Sequence, residues 1–321
     1  MAGAGFGTSG EVIEFGVKEN NYLGKGIGVT ADLSLATDKI TGSLDIENPN
    51  FLNTDKSVNL GIQASENDRL STYGYKSKKI GSLIGTKFEY LEDFKIGLET
   101  STYIEKIETD STASARQKTQ EGDYFDAYLN FNFDYDKRNQ KFKTTDGFRS
   151  YYSIGLPMVS DTNTLNNFYR YKVYSELYED NVSSFSISLW IKTPKQYVKL
   201  SERLFVPQSK LRGFVNGRIG PKDGDDFIGG NYYALMNLTS TMPQILPNAE
   251  NFDVVSFIDI ANLWGVDDSS LNESNEIRSS IGIGIDWYTI VGPLSFSLAQ
   301  PISKTSTDQT ETFRFNLGTT F

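Results

Sequence analysis

The sequence predicts an all-β protein, a 16-stranded antiparallel transmembrane β-barrel, and three observations predict it. Segments that alternate apolar and polar residues recur along the chain, as strands with two unlike faces do. The segment 125–135 carries a row of polar and acidic side chains on one face, which a dry core would not accept unpaired. The hydrophobic fraction is only 38%, and no apolar run approaches the roughly 20 residues that a spanning helix needs.

The predicted strands run from a glycine-rich start at 2–9 to a final strand at 313–321. Between them the alternation predicts strands at 11–20, 27–37, 39–48, 57–66, 73–91, 94–108, 125–135, 147–157, 168–178, 184–193, 232–241, 252–264, 280–287 and 294–299. A soluble β-sandwich also alternates, but it does not keep one polar face along nearly every strand.

The connections between the predicted strands differ in length. The short ones at Asp38-Lys39 and Leu91-Glu92-Asp93 are expected on the periplasmic side. The long ones near 109–122 and 194–231 are expected outside the cell. Aromatic girdles at the two membrane interfaces are expected to include Trp190, Trp264 and Trp287.

Charge and composition exclude several classes of function. The net charge of −10 argues against nucleic acid as a partner. The chain has no cysteine and no histidine, which removes disulfides, thiolate chemistry and a Ser-His triad. We therefore expect no enzyme, no cofactor and no metal site. The acidic cluster in the long loop is expected to be solvated rather than to hold divalent cations, and it comprises Asp223, Asp225 and Asp226.

The domain organisation is expected to be a single barrel domain over residues 1–321, since no repeat or linker indicates a second domain. No signal peptide follows Met1, although a barrel protein must cross the inner membrane. We therefore expect a signal segment, and domains upstream of the barrel, to lie outside this chain.

Four stretches, in this order, resemble the barrel domain of the BamA family within the BamA/TamA superfamily of outer-membrane assembly factors. They are Asn21-Tyr22-Leu23-Gly24-Lys25-Gly26; the segments 134–139 and 145–149; Lys210-Leu211-Arg212-Gly213-Phe214 with 219–221 and 228–231; and the end of the chain from Gly292 to Phe321. The family has a proline where this chain has Thr144.

The resemblance implies a long extracellular loop that folds into the lumen with an Arg-Gly-Phe tip. In the family this arginine meets an inward-facing aspartate, so Arg212 is expected to pair with Asp259. A buried guanidinium needs such an anion. Gly213 is expected to adopt a conformation closed to other residues, and Phe214 to anchor the loop against aromatic residues of the inner wall. The family often adds a glutamate where this chain has Thr239.

The resemblance also implies a lateral seam between the first and last strands. Glycine weakens a strand, and Gly5 and Gly7 belong to a glycine-rich first strand. On the last strand, Gly318 is expected to interrupt the outward aromatic row that ends at Phe321. We therefore expect this seam to be held by fewer contacts than any other pair of strands.

The function implied by the resemblance is that of a non-enzymatic insertase in the bacterial outer membrane. Its expected partners are unfolded outer-membrane protein clients, accessory assembly lipoproteins that bind upstream POTRA domains, outer-membrane lipid and lipopolysaccharide. The alternatives are a related translocation pore, TamA-like or of two-partner secretion, and a passive porin with an open lumen.

Overall fold

The structure is a computed structural model that describes residues 2–7, 10–141, 143–178, 181–242, 251–268, 271, 275–289 and 292–320. The first eight strands are β1 (Ala2–Gly7), β2 (Gly10–Tyr22), β3 (Ile27–Ala36), β4 (Lys39–Asn48), β5 (Ser57–Arg69), β6 (Tyr75–Leu91), β7 (Phe94–Thr109) and β8 (Gly122–Asp136). The next five are β9 (Gly147–Ser160), β10 (Leu165–Tyr178), β11 (Asn181–Thr193), β12 (Lys222–Asp223) and β13 (Asp226–Phe227). The last five are β14 (Tyr232–Met242), β15 (Phe252–Trp264), β16 (Arg278–Thr289), β17 (Gly292–Ser303) and β18 (Phe313–Thr320).

Within the residues that the structure describes, helical structure is confined to single turns in connections. Two α-helical turns are α1 (Leu70–Tyr73) and α2 (Ala115–Lys118), and three 3₁₀ turns are Phe51–Asn53, Leu200–Glu202 and Gln208–Lys210. Among the described residues, no helix has the length and apolarity to cross a membrane. The all-β prediction is confirmed.

Every strand but β12 and β13 belongs to one antiparallel sheet, in which neighbours along the chain are neighbours in space. In the described part of the chain β1 pairs with β2 on one side and with β18 on the other, so the sheet closes into a barrel. β12 and β13 form a separate hairpin within the connection 194–231, which we call the lumen loop. The observed strands overlap each predicted one.

The two ends of the barrel differ in what covers them. Because successive strands are antiparallel, the connections 70–74, 110–121 and 194–231 lie at one end, together with residues 265–268, and we call it the cap end. Thr37 and Asp38 connect β3 to β4 at the cap end, whereas Glu92 and Asp93 connect β6 to β7 at the opposite end. The prediction that these two short turns share one side is therefore wrong, because an odd number of strands separates them.

The two faces of the sheet follow the predicted alternation. On β15, Ile258 is exposed on the outer face, while Phe257 and Asp259 are buried on the inner face. Trp287 is also exposed, and its ring stacks on Phe252 at a centroid distance of 5.0 Å.

Trp190 corrects the girdle prediction. It alternates with exposed Leu189 and Ile191, so it faces the lumen, where it packs against a buried apolar cluster and lies 5.1 Å from the Phe168 ring. That cluster is the core of the molecule and joins the lumen loop to the inner wall; it comprises Leu204, Val206, Leu211, Phe214, Ile219, Tyr233, Leu235, Ala261 and Leu263.

Candidate functional site

The root of the lumen loop is held by a buried cation. The Lys199 ammonium lies 3.0 Å from Glu105 of β7 and 3.3 Å from Glu202, and it also donates to Asp126 of β8. Burial alone would lower the pKa of Lys199, but the three carboxylates outweigh it and raise that pKa. Burial would likewise raise the pKa of Glu202, but Lys192 and Lys199 outweigh it and lower that pKa to about 2. Both groups are therefore charged at neutral pH.

The same three carboxylates are close enough together to suit a metal ion. They are Glu105, Asp126 and Glu202, and the ammonium of Lys199 contacts all three. The cluster is therefore an ion-pair anchor between the loop root and the wall. Sequence reasoning missed this anchor, although the inward alternation of Glu105 and Asp126 was readable in the chain.

The tip of the lumen loop carries the predicted arginine, and the structure places it against Asp259. Arg212 Nε donates to Asp259 Oδ2 at 2.7 Å and Nη2 donates to Oδ1 at 2.8 Å, a bidentate pair. The backbone N–H of Arg212 also donates to Oδ2, at 3.1 Å. The guanidinium carbon lies 3.3 Å from the centre of the Phe257 ring. The carboxylate of Asp259 is completely buried.

The residue of β14 that joins this pair is Asn237, not Thr239. Asn237 lies opposite Asp259 in the sheet, and its Nδ2 donates to Asp259 Oδ1 at 2.9 Å and to the Lys210 carbonyl at 2.7 Å. Thr239 lies two residues further along, opposite Phe257. The Arg212 guanidinium therefore pairs with a single carboxylate, that of Asp259, which also accepts a hydrogen bond from the Asn237 amide.

Gly213 has the conformation and the tight surroundings expected of it. Its φ is +92°, and a Cβ there would lie 3.2 Å from the Ala299 side chain and 3.4 Å from that of Ser280. Phe214 is 2% exposed and belongs to the apolar cluster that includes Tyr233. The tip is therefore seated against β14, β16 and β17.

The tip also pairs with the connection between β17 and β18. Phe214 forms an antiparallel bridge with Thr310, Val215 N donates to Gln309 O at 2.9 Å, and Glu311 N donates to Gly213 O at 3.1 Å. This short ladder fixes the register of the tip against the segment that leads into the last strand.

Arg314 of β18 reaches the tip from the inner wall. Its guanidinium donates to the carbonyls of Gln208, at 2.6 Å, and Phe214, at 3.2 Å, and it pairs with Glu311. No sequence motif pointed to Arg314, although its place on the inward face of the last strand was readable.

At the cap end the acidic cluster is partly engaged rather than solvated as a whole. Asp223 accepts a hydrogen bond of 2.6 Å from Ser114 and lies 3.3 Å from Arg116, which also pairs with Asp268 at 2.7 Å. Asp225 is exposed. Among the described residues, these aspartates do not converge as metal ligands would.

At the seam, β1 and β18 pair in register from Gly3 opposite Thr320 to Gly7 opposite Asn316, with Gly5 directly opposite Gly318. The ladder between β17 and β18 is described over an equally short span, from Leu294 to Leu298. The two ladders are equally long, but in the described part of the chain the seam has fewer contacts than any other pair of neighbouring barrel strands, as expected.

Alternation corrects the expectation for Gly318. The residue shares the lumen side of β18 with Arg314, so it does not interrupt the outward row. Phe321 lies outside the described residues.

The turns that carried the resemblance are locally stabilised. Asn21 Oδ1 accepts from Gly26 N at 2.7 Å, which closes the turn before β3. Arg149 forms a bidentate pair with Asp134, at 2.8 and 2.9 Å. At Gly147, φ is +93° and a Cβ would lie 2.1 Å from the Lys137 carbonyl. Thr144, where the family has proline, donates to the Gln140 carbonyl at 2.7 Å.

The fold and the folded-in loop define a class, the outer-membrane β-barrels whose lumen holds an Arg-Gly-Phe loop. The chain belongs to the Omp85 superfamily, whose domain model matches residues 21–321.

Comparison with known proteins gives the same family. The outer membrane protein assembly factor BamA of Neorickettsia risticii is 22% identical, with 96% of this chain and 42% of that protein covered. The chain thus spans less than half the length of this relative. The expected location in the bacterial outer membrane is confirmed by the BamA relatives.

Two solved structures share the fold. A structure of BamA from Haemophilus ducreyi lacking POTRA domains 1–3 matches with a TM-score of 0.90 and 24% identity, over 100% of this chain and 69% of that one. A structure of CdiB from Acinetobacter baumannii matches with a TM-score of 0.63 and 11% identity, over 99% of this chain and 59% of that one.

Proposed function

We propose that this chain is the membrane barrel of an outer-membrane protein assembly factor, and that it acts as a non-enzymatic insertase. The observation that carries the proposal is the seam, where Gly5 lies opposite Gly318 and neither residue has a side chain to pack. Separation of β1 from β18 exposes backbone donors and acceptors that a client strand can pair with. The full protein is proposed to keep the sixteen-stranded, closed barrel as its resting form.

A narrow apolar band beside the seam supports this proposal. On the outer face of β2, Glu11 and Glu19 flank a row of exposed apolar residues from Ile13 to Val17. On β6 the outward residues from Ile80 to Tyr90 are apolar except Ser82 and Thr86. At about 3.3 Å per residue the two rows cover roughly 13 Å and roughly 33 Å along the strand. A bilayer core of about 30 Å must thin beside β2, which lowers the barrier to insertion.

The partners and the orientation belong to the same proposal. Unfolded outer-membrane proteins are the clients, and the cap end faces outside, toward lipopolysaccharide and outer-leaflet lipid. Residues 1–321 act as one barrel domain, and accessory assembly lipoproteins bind POTRA domains that precede it in the full-length protein. No residue is assigned a catalytic, cofactor or metal role.

A disulfide across the seam tests the proposal, because the chain has no native cysteine. The pair Gly5→Cys and Gly318→Cys joins two residues that lie directly opposite each other. The matched control joins β4 to β5 through Gly42→Cys and Ala64→Cys, which are also directly opposite. The readout is the rate at which the oxidised and the reduced barrel, in vesicles, insert a client barrel.

We expect the oxidised seam variant to lose client insertion and to regain it on reduction, while the control variant inserts clients in both states. Equal insertion by the locked and unlocked seam would refute the lateral-gate mechanism.

A translocation pore of the same superfamily is the second candidate, supported by the fold shared with CdiB. A pore needs a continuous water path, whereas the lumen loop packs against the inner wall through an apolar cluster that includes Leu204 and Leu263. Steady ion conductance by the wild-type protein would favour the pore, or a passive porin, over the insertase.

A further inference from the structure

The turn between β8 and β9 contacts the inner wall of two distant strands at the end opposite the cap end. The ammonium of Lys143 lies 3.6 Å from the carboxylate of Asp253 and 4.0 Å from the centre of the Tyr288 ring. Asp253 alternates onto the inner face of β15, which it shares with buried Phe257. Tyr288 alternates onto the inner face of β16, which it shares with buried Ser280. The turn therefore points into the lumen and not along the outer rim.

This contact takes the turn across part of the barrel mouth. The turn begins at β8 and ends at β9, whereas β10, β11 and β14 separate β9 from β15 in the sheet. It therefore crosses the part of the mouth that these three strands border. We call the described residues of the turn, 137–141 and 143–146, the strap.

Hydrogen bonds within the strap hold its tip in one shape. The Asn139 amide donates to the Thr145 hydroxyl at 2.6 Å, and the Gln140 amide donates to the Lys143 carbonyl at 2.6 Å. The Thr144 hydroxyl donates back to the Gln140 carbonyl at 2.7 Å. Because these bonds lie within the strap, they persist when its position changes. The tip therefore moves as one piece.

The strap joins β9 at Gly147, where the backbone can bend. The φ of Gly147 is +93°, and a Cβ there would lie 2.1 Å from the Lys137 carbonyl. The two sides of the hairpin are thus in direct backbone contact here, with no side chain between them. Residues at the end of an element that absorb a change of backbone angle are where such segments pivot.

The contact that holds the strap across the mouth is weak, and we call it the latch. The side chains of Lys143 and Asp253 are 43% and 33% exposed. An ion pair this exposed changes an equilibrium by at most about fivefold, and salt screens it. The contact with the Tyr288 ring adds a factor of about the same size. A latch of this strength leaves a measurable population with the strap released.

We infer that the strap is a gate over the mouth opposite the cap end, held closed by Lys143 and opened when the latch breaks. In the closed position it covers the part of the mouth bordered by β10, β11 and β14, and it leaves the part bordered by β4–β7 uncovered. In the released position the tip withdraws toward its root at β8 and β9. The inference does not rest on the seam or on insertase activity.

The experiment follows the strap with two spin labels, since the chain has no native cysteine. Lys141→Cys places one label on an exposed residue of the strap, and Asp55→Cys places the other on an exposed residue between β4 and β5. These two strands lie opposite β15 and β16 in the barrel, so withdrawal of the tip shortens the distance. Double electron–electron resonance measures that distance in the folded protein in lipid nanodiscs.

Lys143→Met breaks the latch, and Lys137→Met is the matched control. Lys137 also forms an ion pair of 3.6 Å, with Asp93 at the root of the strap, and its side chain is 42% exposed. That pair does not cross the mouth. Both variants therefore lose one lysine charge and one exposed ion pair, but only Lys143→Met loses the contact with the opposite wall.

The wild type is expected to show two distances, of which the longer is the more populated. Raising the salt from about 0.05 M to about 1 M should shift the ratio about threefold toward the shorter distance. Lys143→Met should shift it about fivefold or more at low salt and should remove the response to salt. Lys137→Met should leave the ratio unchanged.

A single distance that neither salt nor Lys143→Met alters would show a fixed strap and overturn the inference. Equal shifts in Lys137→Met and Lys143→Met would overturn it as well, because loss of charge and not the latch would then be the cause. Asp253→Asn leaves the strap sequence intact and must shift the ratio in the same direction as Lys143→Met. No shift in Asp253→Asn overturns the inference by itself, even if Lys143→Met does not fold. The mobility shift between heated and unheated samples verifies that each variant is folded.

Discussion

Arg314 of the last strand donates a hydrogen bond of 3.2 Å to the carbonyl of Phe214 at the tip of the lumen loop. One guanidinium thus connects the plug of the barrel to a strand of its seam. Opening β18 away from β1 either breaks this bond or moves the tip with the strand. The position of the loop and the state of the seam are therefore coupled.

Removal of this connection is expected to loosen the tip. In Arg314→Met the carbonyls of Gln208 and Phe214 each lose a hydrogen bond from a charged donor. A hydrogen bond of this kind contributes about 1.5–3 kcal/mol. Amide hydrogen exchange at residues 213–215 should become at least about tenfold faster. Lys304→Met is the control, because Lys304 is the exposed first residue of the connection between β17 and β18. Unchanged exchange in Arg314→Met would show that the tip is held by its other contacts alone.

The Arg212–Asp259 pair is expected to be intolerant of losing one partner. Asp259→Asn leaves a guanidinium unpaired near a completely buried site, which destabilises a protein by about 3–5 kcal/mol. The double variant Arg212→Met, Asp259→Leu should be less destabilised than Asp259→Asn alone. Urea unfolding monitored by gel mobility measures each free energy of unfolding. If the loss of stability in the double variant equalled the sum of the losses in Arg212→Met and in Asp259→Leu, the pairing would be contradicted.

Arg212→Lys provides a second check on the same pair. An ammonium cannot make the bidentate contact or lie flat over the Phe257 ring as the guanidinium does. We therefore expect Arg212→Lys to restore only part of the stability lost in Arg212→Met.

Gly213→Ala is expected to destabilise the tip through both strain and crowding. The φ of +92° disfavours any Cβ by about 1–2 kcal/mol, and this Cβ would also press on Ala299 at 3.2 Å. Gly224→Ala separates the two effects, because Gly224 has φ +63° but nothing within 4 Å of a Cβ. The free energy of unfolding should fall more in Gly213→Ala than in Gly224→Ala. Equal losses would mean that crowding contributes nothing.

The anchor at the loop root is expected to weaken in acid. The pKa of Glu202 falls from 4.5 to about 2 in the folded protein, so the folded state binds fewer protons than the unfolded state. The contribution of Glu202 is complete above pH 4.5 and is lost as the pH falls toward about 2. The pKa of Lys199 is raised above 10.5, so its charge persists through this range. Hydrogen exchange at residues 198–204 between pH 6 and about pH 2, corrected for intrinsic rates, measures the loss.

Glu202→Gln is the control for this pH dependence. The variant has no carboxylate to protonate, so residues 198–204 should be less protected at pH 6 and should lose less protection on acidification. A wild-type anchor that keeps all its protection at about pH 2 would contradict the prediction.

Much of the fold was predictable because a barrel strand has a strict two-residue period. That period located the strands and put Phe257 and Asp259 on the inner face. The pairing of Arg212 with Asp259 was predictable from a motif, since a guanidinium inside a barrel needs an anion. Chain order alone also implied that consecutive strands pair.

The features that the sequence did not predict could be found only by comparing several strands at once. Trp190 was assigned to the lipid face by residue type, whereas its alternation with Leu189 and Ile191 places it in the lumen. Asn237 was missed because the strand register decides which residue of β14 faces Asp259. Lys199 gave no signal, because its three carboxylates lie on two strands and on the loop itself.

The turn at Thr37 and Asp38 makes the rim of the cap end uneven. The connection between β3 and β4 contains only two residues, whereas the lumen loop, at the same end of the barrel, contains 38. If the cap end faces the cell exterior, as proposed, an antibody should reach a peptide epitope inserted after Thr37 on intact cells. Antibody binding to this epitope would show whether the cap end lies outside the cell, and the insertion would leave the lumen loop unchanged.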